Sequence, residues 1–414
     1  MWRILLGEFL GDLKTQKLRA GLTMFAMTWG TLAIALLLAF GEGLKVAIST
    51  GLLNAGERIF MVYGGTTSKV HEGLPTGRSI RLTEDDLALL LRATPEIEMG
   101  SPSYGRWGTS LRAGDNKTTT YMEGVNPEFA EMRRTFPQAG GRFLNREDLE
   151  RRRRVVFLGD KIAARLFGDA DPVGQTVTLD GLPFTVVGVM APKFQDSSNN
   201  GPDEDRAIIP ASTFRTIYGN RSVSHLLIRP RDVQHAASVK QQLYRVLGRK
   251  YHFDPDDQRA LAMWDFIEDQ KMVDSIGLGI QIFLGLVGVF TLLVAGVGVA
   301  NVMYVVVKER TRDIGIKRAV GARRPHIMAQ FIFEALLIAL IGGSLGLGVA
   351  ALLVAGVNAI PNSNEAMQYI ANPMLSWPIA LGCVGILTAI GLAAGVLPAR
   401  RAAAVDPVES LRYE

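Results

Sequence analysis

Four long stretches of the chain are apolar and carry almost no charged residue. They are Ala20–Gly41, Ser275–Val307, Ala335–Asn364 and Ala366–Ala399. A helix rises about 1.5 Å per residue and the hydrocarbon core of a bilayer is about 30 Å thick, so about 20 residues suffice for one crossing. The pattern predicts four transmembrane helices. The second stretch holds 33 uncharged residues, enough for the helix to tilt or to continue beyond the membrane.

The residues before the first apolar stretch have a helical period of their own. The apolar positions at this spacing are Trp2, Leu5, Leu6, Phe9, Leu10 and Leu13, with charged residues in the gaps. Such a pattern is typical of an amphipathic helix that lies on the inner leaflet. A plain cytosolic extension of the first span is the alternative.

The segment between the first two apolar stretches begins and ends with a strand–helix–strand pattern. Arg58–Tyr63 predicts a strand, and Thr83 is a suitable N-cap for a helix over Glu84–Ala93. The second unit is predicted as a strand at Ser224–Arg229, a helix at Val233–Leu247 and a strand near Arg259–Trp264. We expect the two units to pair into one α/β part, made of residues 45–107 and 220–270.

The intervening stretch, about 108–219, has a mostly β pattern. Its predicted elements are strands at Gln175–Leu179 and Phe184–Met190 around a hairpin turn at Asp180-Gly181, and a helix at Lys161–Leu166 that Gly168 closes. The polar run Gln195–Arg206 contains Asn, Gly and Pro in succession and predicts a mobile loop.

The charged residues predict the topology. Between Glu42 and Asp274 there are 31 basic and 31 acidic residues, whereas residues 1–19, 308–324 and 400–414 together hold 14 basic and 7 acidic ones. Basic charge beside the spans is the positive-inside pattern and argues against a nucleic-acid partner. We expect an inner-membrane, multi-pass protein with both termini in the cytosol and the 233 residues after the first span outside.

The predicted fold class is an α-helical membrane protein with four transmembrane helices and an α+β extracytoplasmic domain. The predicted segments are an interfacial helix 1–18, spans 19–41, 275–307, 325–357 and 376–399, an extracytoplasmic domain 42–274, a cytosolic segment 308–324, an external loop 358–375 and a cytosolic tail 400–414. The single cysteine, Cys383, lies in the fourth span, so the exported region has no disulfide available. The basic run Arg151–Arg154 is interpreted as a solvated edge, with a site for an anionic lipid or partner as the alternative.

The cytosolic segment between the second and third spans is itself predicted to be helical. Arg310 and Asp313 are three residues apart, and Asp313 and Lys317 are four residues apart. The second pair stabilises an exposed helix by about 0.2–0.5 kcal/mol. Gly321 is a suitable C-cap. A capped cationic helix between two spans can transmit a push, although a segment that serves only the positive-inside topology is the alternative.

Four segments of the chain, in order, resemble the permeases of MacB/FtsX-type ABC transporters. They are KLRAGLTMFAMTWGTLAIALLLAFGEG at Lys17–Gly43, the motifs GGRFLNREDL, VVFLGDKIAARLFGD and DPVGQTVTLDG within Gly140–Gly181, a GxxNxM…ERTxEIGIxxAxGA-like signature at Gly296–Ala322, and PARRAAAVDPVESLR at Pro398–Arg412. Asp313 stands where the family usually has Glu, which keeps the charge and shortens its reach.

The resemblance implies a porter-like domain with a mostly β domain inserted at 108–219, and a dimer of permeases. It implies that ATP-driven closure of two ATPases is passed through the membrane as mechanical motion. Only 19 residues precede the first span and no G-x-x-x-x-G-K-[ST] phosphate loop is found, so we expect the ATPase to be a separate cytosolic subunit. ATP and Mg would bind that partner, with no cofactor, metal or enzymatic activity in this chain. The other expected partners are membrane lipid, a periplasmic adaptor and an outer-membrane channel.

The resemblance also assigns a site. The residues that it implies for ATPase coupling are Glu309, Arg310, Thr311, Arg312, Asp313, Gly315, Lys317, Arg318 and Gly321. Two polar residues within the spans are interpreted from their depth in the membrane. Glu334 is expected to form an ion pair near the inner boundary, with a proton or substrate relay as the alternative. Asn301 is expected to form an interhelical hydrogen bond.

The glycines of the spans leave two interpretations open. Gly342/Gly346 and Gly391/Gly395 form G-x-x-x-G pairs, which let helices approach closely either within one subunit or between two.

The function implied is export of macrolide-, peptide- or lipid-type substrates by mechanotransmission. The DPVGQTVTLDG motif favours this over regulation of an extracytoplasmic cell-wall hydrolase, which is the alternative in the FtsX-like branch. A sensor or assembly scaffold without an ATPase is a further alternative, which would leave the Glu309–Gly321 signature without a purpose.

Overall fold

The structure, a computed structural model, describes residues 17–195, 200–360 and 372–404. The predicted interfacial helix lies outside this part of the chain except for its last two residues, and so do most of the predicted external loop and of the predicted tail. The described residues form two compact units. Ile48–Val273 is called the sheet unit below, and the described residues on either side of it are called the helical unit.

The described part of the helical unit is built from four long helices and one short one. They are α1 (Lys17–Ala55), α8 (Phe266–Glu309), α9 (Thr311–Ala319), α10 (Arg324–Asn358) and α11 (Trp377–Ala404). The last residues of α1 and the first residues of α8 belong to the sheet unit. By length and composition, the four long helices can each cross a membrane, as the apolar stretches predict.

The G-x-x-x-G pairs pack within the subunit. An added Cβ at Gly346 of α10 would lie 2.6 Å from the carbonyl oxygen of Thr28 in α1, and one at Gly342 would lie 2.8 Å from the Cβ of Met27. The glycines of α11 pack against α10 in the same way. An added Cβ at Gly391 would lie 2.8 Å from the Cβ of Ala339, and one at Gly395 would lie 2.8 Å from the Cβ of Ala335. Of the two interpretations left open by the sequence, close approach of helices within one subunit is therefore the one that the structure supports.

The sheet unit contains nine strands and six α-helices of its own among the described residues. The strands are β1 (Phe60–Gly64), β2 (Ile97–Ala113), β3 (Asn116–Val125), β4 (Val155–Leu158), β5 (Thr176–Leu179), β6 (Leu182–Val189), β7 (Arg206–Pro210), β8 (His225–Pro230) and β9 (Leu261–Asp265). The helices are α2 (Glu84–Ala93), α3 (Phe129–Met132), α4 (Arg146–Glu150), α5 (Asp160–Phe167), α6 (Ala211–Tyr218) and α7 (Ala236–Tyr251).

Six of the strands close into a ring. The hydrogen-bonded order is β3-β7-β4-β6-β5-β2, and a further pairing between β3 and β2 completes the circuit. Within the ring, the pairs β3–β7 and β4–β6 are parallel and the others are antiparallel. The first half of the long strand β2 also pairs with β8, from which β1 and β9 continue outward. One strand therefore joins the ring to an open three-stranded extension.

The core lies on both faces of the strands. In β4, Val156 and Leu158 belong to one buried cluster, while Val155 and Phe157 belong to another. Because successive side chains of a strand point to opposite faces, β4 is buried on both sides. This explains its uninterrupted apolar sequence.

The predicted local elements are confirmed to within a few residues. Thr83 is the N-cap of α2, with acidic residues in the first turn. Asp180 and Gly181 have φ of 47° and 83°, as a hairpin turn with two left-handed positions requires. Gly168, at φ 58°, ends α5. The helix predicted from Val233 instead begins with a 3-10 turn over Val233–His235 before α7.

The prediction of a mobile loop over Gln195–Arg206 is wrong for its last four residues. Asp203–Asp205 forms a 3-10 turn and β7 begins at Arg206. Asp203 and Arg206 are each 2 % exposed, because their charges are paired inside the unit. The first part of the run includes residues 196–199, which lie outside the described residues. The division of the sheet unit into a porter-like part and an inserted part stays a prediction.

Candidate functional site

Helix α9 is tied directly to the end of α8. Arg310 lies between the two helices, and its N–H donates to the carbonyl of Val306 at 3.0 Å while its own carbonyl accepts from the N–H of Ile314 at 2.9 Å. The Thr311 hydroxyl reaches back to the carbonyls of Val307 at 3.1 Å and Lys308 at 2.8 Å. These bonds satisfy carbonyl groups that a helix end would otherwise leave free. The junction is a short bend held by hydrogen bonds.

The far end of α9 has a defined cap. The N–H of Ala322 donates to the carbonyl of Lys317 at 3.0 Å, and the N–H of Gly321 donates to the carbonyl of Arg318 at 3.1 Å. Gly321 has φ of +103°. This pair of bonds is the Schellman motif, which favours glycine because the position is left-handed. The predicted C-cap role of Gly321 is confirmed.

The two faces of α9 differ in burial. Ile314 is 3 % exposed and belongs to the buried cluster of the helical unit, together with Ile327 and Phe331 of α10 and Ala402 of α11. Its opposite face is open, and Ile316 is 46 % exposed. One face thus anchors α9 to the long helices, and the opposite face is exposed.

The predicted coupling residues divide between these faces. Gly315 is buried, Arg310, Thr311 and Arg318 are half-buried, and Glu309, Arg312, Asp313, Lys317 and Gly321 are exposed. Lys317 Nζ lies 3.4 Å from Oε1 of Gln330 in α10. The guanidinium of Arg401 in α11 lies over the ring of Tyr304 in α8, 4.6 Å from the ring centroid. The segment therefore combines an exposed charged face with contacts to both following helices.

The two polar residues of the spans have different surroundings. Glu334 is 8 % exposed on α10, and its predicted ion pair stays a prediction. Asn301 is exposed on α8, two residues from the fully buried Val299 and Met303. Its side chain therefore lies on the face of α8 opposite the helical core. Among the described residues it forms no hydrogen bond, so a partner for the predicted interhelical bond would have to come from outside the described part of the chain.

Sequence reasoning missed a buried charge cluster in the sheet unit. Its centre is Asp203, whose carboxylate accepts from Arg133 Nη2 at 2.8 Å and from Lys193 Nζ at 2.7 Å. Arg206 extends the cluster by donating to Glu123 Oε2 at 2.7 Å, although the two residues are 83 positions apart in the chain. In the sequence, the cluster is visible only as a run of acidic and basic residues at the start of β7, a pattern that is typical of a solvated loop.

The charges of this cluster stabilise one another. Burial alone would raise the pKa of Asp203, but the nearby charges of Arg133, Lys193 and Arg206 outweigh it and hold that pKa well below its usual range. Burial lowers the pKa of the neighbouring His225 to about 4. Its imidazole is therefore neutral at physiological pH. The arrangement joins residues from several separate parts of the chain.

Other candidate chemistry gives no second site. Among the residues that the structure describes, no three His, Cys, Asp or Glu side chains are placed to hold a metal ion. The run Arg151–Arg154 lies largely exposed, with Arg151 and Arg153 paired to Glu147 at 3.2 and 2.8 Å, and its interpretation as a solvated edge stays a prediction.

Family models match both units of the chain. The family described as MacB-like periplasmic core domain matches residues 20–246, which is more than half of the chain. The family described as FtsX-like permease C-terminal matches residues 285–407. These matches confirm the resemblance and the predicted fold class. Together with the four helices of spanning length, they indicate an inner-membrane protein with an extracytoplasmic domain.

The chain is also similar to curated proteins over nearly its whole length. The macrolide export ATP-binding/permease protein MacB of Chlorobaculum tepidum is 30% identical over 97% of this chain. The pyoverdine export ATP-binding/permease protein PvdT of Pseudomonas aeruginosa is 28% identical over 95% of it. The chain spans 60% and 56% of the lengths of these two relatives.

A solved structure also resembles part of the chain. The periplasmic region of MacB from Actinobacillus actinomycetemcomitans aligns with a TM-score of 0.43 and 17% sequence identity, covering 54% of this chain and 95% of that one. The family assignment rests on the sequence matches, which follow one another along the chain in the order core domain, then permease domain. The chain belongs to the MacB/FtsX family of ABC transporter permeases.

Proposed function

We propose that this chain is the permease subunit of an ABC exporter, and that α9 is the helix that couples it to a cytosolic ATPase. ATP hydrolysis by that separate subunit, which binds ATP and Mg, would drive rearrangement of the sheet unit on the other side of the membrane. The MacB and PvdT relatives, whose names describe macrolide export and pyoverdine export, support export as the outcome. Neither name favours regulation of a cell-wall hydrolase.

The observation that carries this proposal is the two-faced placement of α9. Its buried face, through Ile314, is packed into the cluster formed by the long helices. Its exposed face carries Arg312, Asp313 and Lys317. A force applied to the exposed face would be passed to α8 through the hydrogen bonds of Arg310 and Thr311, and to α10 through the packing of Ile314. A loop without such anchors would absorb the same force by bending.

Helix α8 offers a route from α9 to the sheet unit. It is a single helix over Phe266–Glu309, and it follows strand β9 without an intervening loop. In the proposed mechanism, movement of its cytosolic end is passed along this continuous helix towards β9. This is the mechanotransmission that we propose, with both termini and α9 in the cytosol.

The proposed assembly contains a second permease copy. The Asn301 amide is exposed on α8, and its neighbours along the chain are apolar. A hydrogen bond to a neighbouring helix stabilises a polar side chain in a membrane span. A second copy of α8 would supply that neighbour. A periplasmic adaptor, an outer-membrane channel and macrolide-, peptide- or lipid-type substrates belong to the same proposal.

Charge reversal at Arg312 tests the coupling. The assay measures how far the chain, in nanodiscs, stimulates ATP hydrolysis by its ABC ATPase. Arg312→Glu is expected to reduce this stimulation at least about tenfold, because loss of an interfacial charge pair costs about 2–5 kcal/mol. The matched control is Arg245→Glu, the same exchange at an exposed position of α7 in the sheet unit. Its stimulation should stay at the unmodified level. Equal stimulation by Arg312→Glu and the unmodified chain would overturn the assignment.

Gly315 is less suitable for this test. The residue is buried in α9, so a bulky acidic side chain there would disturb packing as well as contact with the ATPase. A defect at Gly315 would therefore not separate coupling from folding.

A further inference from the structure

The sheet has one free edge among the described strands. Each strand from β1 to β8 is hydrogen-bonded to strands on two sides, because the ring closes and the extension is internally paired. Strand β9 pairs with β1 alone among the described strands. An unpaired edge offers backbone donors and acceptors to another chain, and proteins usually protect it.

The register shows which backbone groups are open. The N–H of Phe266 donates to the carbonyl of Ile59 at 3.2 Å, just beyond the β1–β9 ladder. In an antiparallel pair, alternate residues bond to the partner strand. Trp264 and Ala262 therefore also bond to β1. The intervening residues direct their N–H and C=O groups to the free side.

Met263, at the centre of β9, has both groups on the free side. Of the other two residues of this set, Leu261 has its carbonyl occupied by the hydroxyl of Tyr244 at 3.1 Å, and Asp265 is the last residue of β9, directly before α8. Proteins protect such an edge with proline, charged side chains, a bulge, a very short strand or a covering helix. The edge sequence LAMWD at Leu261–Asp265 has no proline, lysine or bulge; its one charged residue, Asp265, stands at its end, and Tyr244 of α7 covers only the Leu261 carbonyl. The edge is thus available for pairing at its centre.

A groove runs beside this edge. It has a volume of about 720 Å³ and lies between α7, strand β9 and the loop before β9. Residues that line it include Ser238, Gln241, Tyr244, Pro255, Asp256 and Gln258. Helix α7 is held in place because Val239, Leu243 and Leu247 are buried in the core. The groove therefore has a fixed helical wall on one side and an open strand on the other.

The size of the edge argues for a single extended segment as its occupant. Five residues of strand span about 17 Å, whereas a stable interface between two copies buries about 1,000 Å² or more. The groove beside β9 is bounded by α7 on its other side. A peptide between a strand edge and a helix is bound by β-augmentation, in which backbone hydrogen bonds give affinity and side-chain pockets give specificity.

The charge of the groove defines the partner further. Lys240 is neutralised by Asp265 at 2.6 Å and by Glu268 at 3.3 Å. Asp256 is exposed and forms no ion pair with any residue in the described ranges. Its carboxylate is complementary to a basic side chain. We propose that the free edge of β9 binds an extended segment of a partner protein, and that this segment carries a lysine or arginine opposite Asp256.

This surface lies in the sheet unit and involves no residue of α9. Loss of the coupling at Arg312 would leave it intact, and loss of binding at β9 would leave stimulation of the ATPase intact. The two proposals can therefore fail separately.

The test uses the full chain in nanodiscs and a phage-displayed library of random nine-residue peptides. Recovered peptides should be enriched in Lys or Arg, and their binding should protect the Met263 amide from hydrogen exchange. Met263→Pro removes the N–H on the free edge and leaves the hydrogen bonds between β9 and β1 in place. Proline is tolerated at such an edge position. It should weaken binding at least about tenfold, the equivalent of losing hydrogen bonds worth about 1.4 kcal/mol. The control Met263→Thr keeps the N–H and should bind as the unmodified chain does.

A second variant avoids any change to the strand. Asp256→Lys reverses the charge of the groove and should weaken the basic peptides severalfold, while a peptide with its Lys replaced by Glu should gain. Failure to recover any peptide, or equal binding by Met263→Pro, would overturn the proposal. It would also be overturned if Met263→Pro halved the mass of the assembly in sedimentation, because the edge would then hold a second copy.

Discussion

Replacing Asp203 by Asn is expected to destabilise the sheet unit by about 3–5 kcal/mol, because removing one partner of a buried ion pair leaves the other charges uncompensated. Arg133 and Lys193 both donate to this carboxylate, and the Asp203 and Arg133 side chains are each 1 % exposed. Hydrogen exchange of the β7 amides in the full chain measures the loss. The exchange of these amides should become much faster than in the unmodified protein.

Asp205→Asn is the matched control, two residues away. The Asp205 carboxylate pairs with Arg165 at the surface, where 35 % of the Asp205 side chain is exposed. Exposed pairs contribute about 0–1 kcal/mol, so its exchange should change little. Similar effects of the two substitutions would show that the buried cluster does not stabilise the unit.

The pH dependence of this stabilisation has a definite sign. The folded-state pKa of Asp203 lies below its usual value. A depressed carboxyl pKa stabilises the folded state at pH values above the unfolded pKa of about 3.9 and loses that effect as the pH falls through the folded value. The difference between the unmodified chain and Asp203→Asn should therefore persist unchanged from about pH 7 to about pH 5. It should shrink only under strongly acidic conditions.

Gly346→Leu is expected to disrupt the contact between α10 and α1. An added Cβ would lie 2.6 Å from the carbonyl oxygen of Thr28 and 2.8 Å from the Cβ of Thr31. Backbone atoms of a helix cannot yield as a flexible side chain does, so the helices must separate. Overpacking costs about 1–3 kcal/mol or more. Thermal unfolding of the full chain in detergent, followed by size-exclusion chromatography, should show a lower midpoint.

Gly348→Leu provides the control on the same helix. No atom among the described residues lies within 4 Å of an added Cβ at Gly348, and the residue is exposed. The same glycine-to-leucine exchange should therefore leave the midpoint nearly unchanged. Equal destabilisation at the two positions would mean that close packing against α1 does not account for the effect.

Local features of this fold could be predicted because neighbouring residues determine them. Thr83 caps α2, and the Asp180-Gly181 turn joins β5 to β6, as their sequences indicate. The GGRFLNRED motif has an equally local explanation in the structure. Asn145 and Asp148 form a capping box, and Arg142 holds the Asp148 carboxylate through two bonds of 2.6 and 3.1 Å.

The closed ring and the buried charge cluster could not be predicted in this way. Both depend on pairings between residues far apart in the chain, such as Glu123 with Arg206 and Arg133 with Asp203. The sequence around Asp203 is charged and therefore resembles an exposed loop. Only the fold brings opposite charges together and makes their burial favourable. For the same reason, the exposure of Asn301 was not evident, because it depends on how α8 is rotated against its neighbours.

The candidate site lies between these two cases. The helical period and the glycine cap of α9 were evident from the sequence, and the Schellman motif at Gly321 confirms the cap. The burial of Gly315 was not evident, because it depends on how α9 packs against α10 and α11. The structure therefore identifies Arg312, rather than Gly315, as the position at which contact with an ATPase can be tested.

Photo-cross-linking from α9 tests the central claim most directly. In a Cys383→Ala background, a benzophenone-maleimide label is attached to Arg312→Cys, and to Arg245→Cys as the control. The account predicts an adduct between the chain and an ABC ATPase with a phosphate-binding loop, identified by mass spectrometry, from the label on α9 alone. A correctly inserted protein that yields no ATPase adduct from position 312, or the same adduct from position 245, would contradict it.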